Sequence, residues 1–331
     1  MHKGLKTTMC RNEKADRKDD DRMKKIPIVM DCDPGSDDAL AILMVHAAEN
    51  IDLRAITTVA GNLNREITAQ NALNIVEYFN IGVPVAKGSY PIMKKFEALD
   101  VSIMGEGGLG NAVLPKAKGE YSPYHSVELL HKEIQKAPGE IVILATGPLT
   151  NVALLLSVYL EDRELIKEIV IMGGAVYEGN HTPRTEFNIY TDAEAAKIVF
   201  QSGIPIKMIG TDVTYRTPVT KSDLECLLSN DKKVSKFIGD LMFYPGDDKR
   251  PFPEEGIFIW DGLAAAALIC PECMEYKHVY VDVETRGELT YGETVADMNH
   301  YLKQVPNTHI AMECKKYMFL SLLQKTIEAI E

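Results

Sequence analysis

The chain has no uninterrupted apolar run approaching the ~18 residues that a membrane-spanning helix needs, so a spanning helix is excluded on length. Positive charge is also in deficit: 36 Lys and Arg stand against 48 Asp and Glu, a formal charge of −12. Binding to nucleic acid needs Lys and Arg gathered along one surface to neutralise phosphates. No such stripe is present, which excludes nucleic acid as a partner and favours small neutral or cationic ligands. Cysteine is sparse, with six residues spread from Cys10 to Cys314 and no small disulfide framework. That usage fits a reducing, intracellular compartment, and a cytoplasmic location is expected. The lone CxxC, CPEC at 270–273, lacks the second pair that a tetrahedral zinc site would need, and it reads as a Pro turn ending an alanine-rich helix. Tryptophan occurs once, at Trp260.

Residues 1–25 are dense in charges of both signs and contain no apolar core, so they form neither a signal peptide nor an anchor. They are expected to be disordered or extended, with Met23 a candidate start just before the first strand. The remainder, 26–331, is expected to be one folded domain, for which a 46% hydrophobic content provides ample core.

From residue 26 short β-rich runs alternate with amphipathic stretches: IPIVM then DDALAILMVHAAEN, LRAITTVAG then ITAQNALNIVEYF, EIVILAT then PLTNVALLLSVYL. Strand followed by helix, repeated, predicts an α/β fold with a mostly parallel open sheet and helices on both faces. In such sheets ligands bind outside the carboxyl ends of the strands. Those ends carry Asp31, Asp33, Asp37 and Asp38, then Gly61 and Asn62, then Thr146, then Met172 with its Gly-Gly, and further on Glu186, Asn188, Trp260 and Asp261. Residues 243–259, with three prolines and two glycines, read either as a lid or as a plain connection. The terminal KKYMFLSLLQKTIEAIE has the apolar spacing of a docked helix.

The densest of these ends is DCDPGSDDA at 31–39, with four aspartates in eight positions. Helix capping accounts for Asp37 or Asp38 taken singly. It does not account for Asp33, Asp37 and Asp38 together. Several hard oxygen donors without His or Cys suit Ca²⁺ or Mg²⁺, and Ca²⁺ in particular accepts mixed carboxylate, carbonyl and water shells. A hydrolytic role follows, because a cation and a carboxylate base together activate water.

Two families place aspartates two apart after a first strand. Haloacid-dehalogenase-like phosphotransferases continue with DxDGT, whereas this chain continues PGSDDA. DCDPGSDDA closely resembles the DxDPGxDDA signature of the nucleoside hydrolase family, which cleaves the N-glycosidic bond of ribonucleosides. ITTVAGN (56–62), ATGPLTN (145–151), IMGGAV (171–176), EFNIYTDAEAA (186–196), WDGLAAA (260–266) and VDVETRGELTYGETVAD (281–297) resemble its successive blocks in order. The resemblance implies Ca²⁺ held by Asp33, Asp38, Asp261 and the carbonyl of Thr146. It implies Asp33 as the general base, Asp37, Asn62, Glu186 and Asn188 on the ribose hydroxyls, and Met172 beside the sugar. Asp31 would orient its neighbours. Anionic and polar groups so placed would stabilise the oxocarbenium-like sugar left as the base departs.

The sequence departs from the family where a histidine often precedes the last metal-binding aspartate. Trp260 stands there. The purine-specific branch has Trp-Asp at this place, which implies stacking on the departing base and a preference for purine nucleosides. Met104 likewise replaces a histidine common before the GEGGLGN turn, leaving Tyr244 and other residues of 243–259 as possible base contacts. Of the eight histidines, only His181 lies near a motif, in an expected solvated loop. The partner is thus expected to be a small-molecule ribonucleoside, with no nucleic acid and no membrane, and assembly as a homodimer or homotetramer follows the family habit. A Mg²⁺-dependent phosphatase and a non-catalytic Ca²⁺- or ribose-binding homologue are the competing readings.

Overall fold

The computed structural model describes residues 24–91, 104–105, 107–244 and 251–331. Of the terminal segment 1–25, expected to be disordered or extended, residues 1–23 lie outside them, as do residues 245–250 of the candidate lid and Ile103 and Glu106 of the Met104 loop. An eight-stranded sheet runs through the middle. Its strands are β1 (Ile26–Cys32), β2 (Ile51–Thr58), β3 (Val85–Ala86), β4 (Ile141–Ala145), β5 (Ile166–Met172), β6 (Ile206–Ile209), β7 (Met274–Val279) and β10 (Thr308–Cys314). The order across the sheet is β3-β2-β1-β4-β5-β6-β10-β7, all neighbours parallel except β10 with β7. β8 (Val281–Val283) and β9 (Thr294–Ala296) form a separate antiparallel pair. The expected mostly parallel α/β architecture is therefore present.

Each central strand is a continuous apolar run because both of its faces are covered. Two cores result, one on each side. Ile28, Met30, Val142, Leu144 and Val170 enter the first, and Val29, Ile143, Ile169 and Ile171 enter the second. Alternate residues of one strand feed opposite cores, as the period of two requires.

The strand order explains where a ligand can enter. From β1 the chain moves to β2 and β3 on one side, then returns to lay β4 on the other side of β1. The crossovers diverge between β1 and β4, leaving a crevice at their carboxyl ends. Asp31 pairs in register with Ala145, and the Thr146 N–H donates to the Asp31 carbonyl at 2.9 Å. The end of the DCD segment and Thr146 thus lie side by side at that switch point.

Two helices are buried nearly all round. Ser36–Ala47 buries every residue from Asp38 to Val45, and Trp260–Ile269 buries Asp261 to Leu268. Apolar on all sides, neither can sit at a solvent face, so they pack on each other beneath the sheet. Each fully buried Leu, Ile or Met there contributes about 1.5–3 kcal/mol. The CPEC turn follows as a 3₁₀ segment, Pro271–Cys273, as the Pro turn predicted. The terminal helix spans Lys316–Ala329 and docks through Phe319, Leu323, Thr326 and Ile327.

Candidate active site

β1 ends at Cys32, so Asp33 lies just past the pleat and does not share partners with Asp31 two residues earlier. Asp31 turns toward the neighbouring elements: the Thr57 hydroxyl donates to its Oδ1 at 2.6 Å and the Asn151 amide at 2.8 Å. Burial pushes its carboxyl up to about 7.

Asp33 is held differently. The Asn62 backbone N–H donates to Oδ2 at 2.5 Å. Its Oδ1 is buried with no hydrogen-bond partner. Two glycines make room for this carboxyl. A Cβ on Gly61 would stand 2.0 Å from Asp33 Oδ2 and 2.6 Å from Pro148 Cδ, and one on Gly147 would stand 2.6 Å from Asp33 Oδ1. Gly61→Ala is therefore expected to displace Asp33 while leaving the sheet intact. With Asp33 expected as the general base, and misplacement of a reacting group by about 1 Å able to cost about 10²-fold in rate, turnover should fall by about that factor with an unchanged circular dichroism spectrum. A rate equal to wild type would show that the Asp33 carboxyl has slack in its cradle.

The Ser36–Ala47 helix opens with Asp37 and Asp38. Asp38 Oδ2 accepts from the Gly35 N–H at 3.1 Å, so the capping reading holds for this residue. Capping does not exhaust it. Asp38 Oδ1 also accepts from the Thr146 hydroxyl at 2.7 Å, and Oδ2 from the Asn62 amide at 3.3 Å. The packing of the two buried helices then brings Asp261, in the first turn of Trp260–Ile269, to the first turn of the other. Carboxylate oxygens of Asp37, Asp38 and Asp261 all lie within 4.8 Å of one another. Burial, then the charge of Asp37, pushes Asp38 up to about 7. Burial, then Asp37, Asp38 and Asp33, pushes Asp261 well above the carboxylate range. Asp33 is raised by burial and by Asp38. Like charges in low dielectric resist ionising together, and no cation of the described ion pairs is spent on them.

The opposite rim is built by one amide. Asn188 Nδ2 donates to the Thr146 carbonyl at 2.8 Å and to the Met172 carbonyl at 3.1 Å, tying the ends of β4 and β5 together. Glu186 caps the Phe187–Thr191 helix, accepting from the Asn188 N–H at 2.9 Å, the Gly174 N–H at 3.1 Å and the Ile189 N–H at 3.2 Å. Burial pushes its carboxyl up to about 7. Trp260, half-buried, begins its helix in an aromatic group, 5.3 Å from the Tyr215 ring and 5.8 Å from the Phe258 ring. Met104 reaches the DPG turn, its Sδ 3.1 Å from where a Gly35 Cβ would sit, and Tyr244 borders the same loop at Gly105 and Gly110. His181 is exposed, as its loop position implied, with its ring 4.3 Å from that of Tyr190.

Sequence reasoning left Asn151, Gly61, Gly147 and Tyr215 without roles. Asn151 carried a signal, an amide in the first turn of an otherwise apolar helix. Tyr215 carried none, because only the fold brings it to Trp260 and to Phe258, which lies in the 243–259 stretch already read as a source of base contacts.

The fold agrees with what this chain matches among known proteins. The model of the inosine-uridine preferring nucleoside hydrolase family matches residues 28–321. The pyrimidine-specific ribonucleoside hydrolase RihA of Photobacterium profundum is 39% identical over 306 residues, covering 91% of this chain and 98% of that one. RihA of Escherichia coli is 40% identical over 304 residues, covering 90% and 97%. Among solved structures, the purine-preferring ribonucleoside hydrolase from Gardnerella vaginalis superposes with a TM-score of 0.84 at 30% identity, covering 91% of this chain and 98% of that one. An inosine-guanosine nucleoside hydrolase gives 0.84 at 25% identity, covering 92% and 99%. The chain belongs to the nucleoside hydrolase family. It is a ribonucleoside hydrolase, acting on N-glycosyl bonds.

Proposed function

We propose that this chain is a Ca²⁺-dependent ribonucleosidase that releases ribose and a free base, with purine nucleosides preferred. The observation that carries the reading is the group of three carboxylates, the half-buried Asp37 and the buried Asp38 and Asp261, beside the partnerless Oδ1 of Asp33. An all-oxygen donor set with excess negative charge fits a hard divalent cation. Asp33, Asp38, Asp261 and the Thr146 carbonyl would hold Ca²⁺. Bound there, it would offset the repulsion among the carboxylates and polarise water and sugar hydroxyls.

The chain's own groups account for the remaining chemistry. Asp33 is fixed through Oδ2 and presents Oδ1 as the atom that accepts a proton from the attacking water. Asp37, Asn62, Glu186 and Asn188 hold the ribose hydroxyls, and Met172 packs beside the ring. As the bond to the base lengthens, the surrounding carboxylates stabilise positive charge on the sugar. Departure of the base is assisted by Trp260, whose indole stacks on it.

The purine preference rests on Trp260 and the Tyr215–Phe258 pair behind it. A second reading is favoured by the two relatives at 39% and 40% identity, both named pyrimidine-specific. Trp260→Ala separates them. Stacking of a base on an aromatic ring contributes about 1–3 kcal/mol, so kcat/KM for inosine and guanosine should fall about tenfold to hundredfold. Uridine and cytidine should be affected less. Equal losses would make Trp260 a packing residue and leave the pyrimidine reading in place.

The reaction itself is tested by a reducing-sugar assay on the EDTA-treated enzyme with inosine, adenosine, guanosine, uridine and cytidine, with Ca²⁺ or Mg²⁺ restored. Ribose release with Ca²⁺ supports the proposal. Release with Mg²⁺ alone transfers the site to that ion, and no release from any nucleoside at saturating Ca²⁺ refutes the reading. No helix of the described residues is long and apolar enough to cross a membrane. A cytoplasmic location and a homodimer or homotetramer complete the proposal, the latter checked by light scattering.

A further inference from the structure

Asn71 sits in the middle of the Arg65–Tyr78 helix, buried beside Ala69, Ala72 and Ile75. Asparagine is a poor helix former, and a buried amide costs free energy unless it is hydrogen-bonded. Here both amide hydrogens are used, and neither bond stays within the helix. Nδ2 donates to the Pro34 carbonyl at 2.9 Å and to the Gly107 carbonyl at 2.8 Å. Both partners are acceptors, so only the NH₂ end of the amide can face them. Pro34 belongs to the DPG turn that joins Asp33 to Asp37 and Asp38, and Gly107 belongs to the glycine-rich turn that follows Met104.

That second turn is folded on itself. The Gly108 N–H donates to the Gly105 carbonyl at 2.9 Å, and the Gly110 N–H donates to the Met104 carbonyl at 2.8 Å. Outward, its backbone is fastened at Gly107 by Asn71 and at Asn111, whose N–H donates to the Asp240 carbonyl at 2.9 Å. Gly108, at a φ of +75°, presses on the same helix: a Cβ there would stand 2.2 Å from Leu63 Cδ1 and 3.6 Å from Asn71 Nδ2. The aspartates of the DPG turn are secured by other bonds. Asp33 accepts from the Asn62 N–H, and Asp38 accepts from the Gly35 N–H, the Thr146 hydroxyl and the Asn62 amide. Loss of the Asn71 amide leaves each carboxylate those partners. What it releases is the glycine-rich turn and, with it, Met104.

We propose that Asn71 is a positioning residue for nucleoside hydrolysis, its amide latching the 107–111 turn to the DPG turn so that Met104 and the aspartate turn meet the nucleoside as one unit. Asn71 itself touches neither substrate nor metal in this role. Its effect therefore falls on how well the nucleoside is held, more than on the chemical step that the separately fixed Asp33 performs.

The proposal rests on the DPG turn belonging to the catalytic centre, a reading that the kcat of Asp33→Asn tests by itself, whereas Asn71 is judged on KM. Asn71→Ala is assayed for ribose release from inosine and from uridine, with Ca²⁺ and Mg²⁺ both supplied so that the identity of the ion does not enter. KM should rise about tenfold, the scale of one or two lost hydrogen bonds, with kcat within about threefold of wild type, the pattern of lost ground-state binding. Partial unfolding of a variant lowers the apparent kcat and leaves KM alone, so the split separates positioning from mere support. Asn71→Asp keeps the shape of the side chain, turns a carboxylate toward both carbonyls and should raise KM further. Adding Met104→Ala to Asn71→Ala should change KM by less than about twofold, because the turn that carries Met104 is already free. A KM within about twofold of wild type in both Asn71 variants would overturn the proposal, whatever the change in kcat. So would fully multiplicative effects of the Asn71 and Met104 substitutions. If neither Asn71 variant folds, the amide is a support of the fold and the proposal fails as well.

Discussion

Asp33→Asn is expected to reduce ribose release by about 10³-fold or more, in the upper part of the about 10²–10⁴-fold range that a lost general base costs. The substitution keeps the shape of the side chain and an acceptor toward the Asn62 N–H, so the fold should survive. It replaces a proton-accepting oxygen with an amide that cannot take a proton at neutral pH. Gly61 and Gly147 leave no space for the side chain to swing to a compensating position. The measurement is kcat from the reducing-sugar assay, with a thermal melt confirming the fold. A rate within tenfold of wild type would transfer the base role to another group.

The second large effect concerns the metal and pH together. Asp31 and Asp38 both sit at about 7 in the folded chain, pushed up by burial, against about 3.9 for an exposed aspartate. A carboxyl raised on folding stabilises the fold below its unfolded value, and that contribution is lost as pH rises through its folded value. In EDTA the melting temperature should therefore fall as pH rises from about 4 to about 7. Ca²⁺ favours the charged form of Asp38 and should oppose its share of that loss, while the share of Asp31, bonded to Thr57 and Asn151, persists. At a hundredfold excess over its dissociation constant, Ca²⁺ adds about 2.7 kcal/mol. Differential scanning fluorimetry across this range decides the matter. Melting curves that keep the same spacing with and without Ca²⁺ at every pH would place the ion away from Asp38.

Much of this was legible in the chain. Strand and helix alternation gave the parallel sheet because fully buried strands must be apolar throughout, and the aspartate-rich end of β1 marked the crevice. The order of strands was not legible, since which side of β1 receives β4 depends on long-range pairing that leaves no local trace. For the same reason Asp31 could not be told from Asp33 by position alone. Their separation comes from β1 ending at Cys32 and from Thr57 and Asn151 reaching in from other elements. Tyr215 beside Trp260 was hidden in the same way. It is an ordinary residue until a distant segment arrives.

The packing of the Ser36–Ala47 helix on the Trp260–Ile269 helix also sets a schedule. During synthesis the chain carries Asp37 and Asp38 from its first folded segment, but their third partner emerges only after most of the sheet-forming sequence has been made. A nascent chain ending before residue 260 lacks Asp261 and Trp260 together, and so lacks both the completed acidic group and the aromatic wall. On the proposed roles of Asp261 and Trp260, nucleoside turnover is expected only once the late helix docks. Acquisition of activity should then act as a clock for the final packing step, readable on a stalled ribosome as chains of increasing length are released.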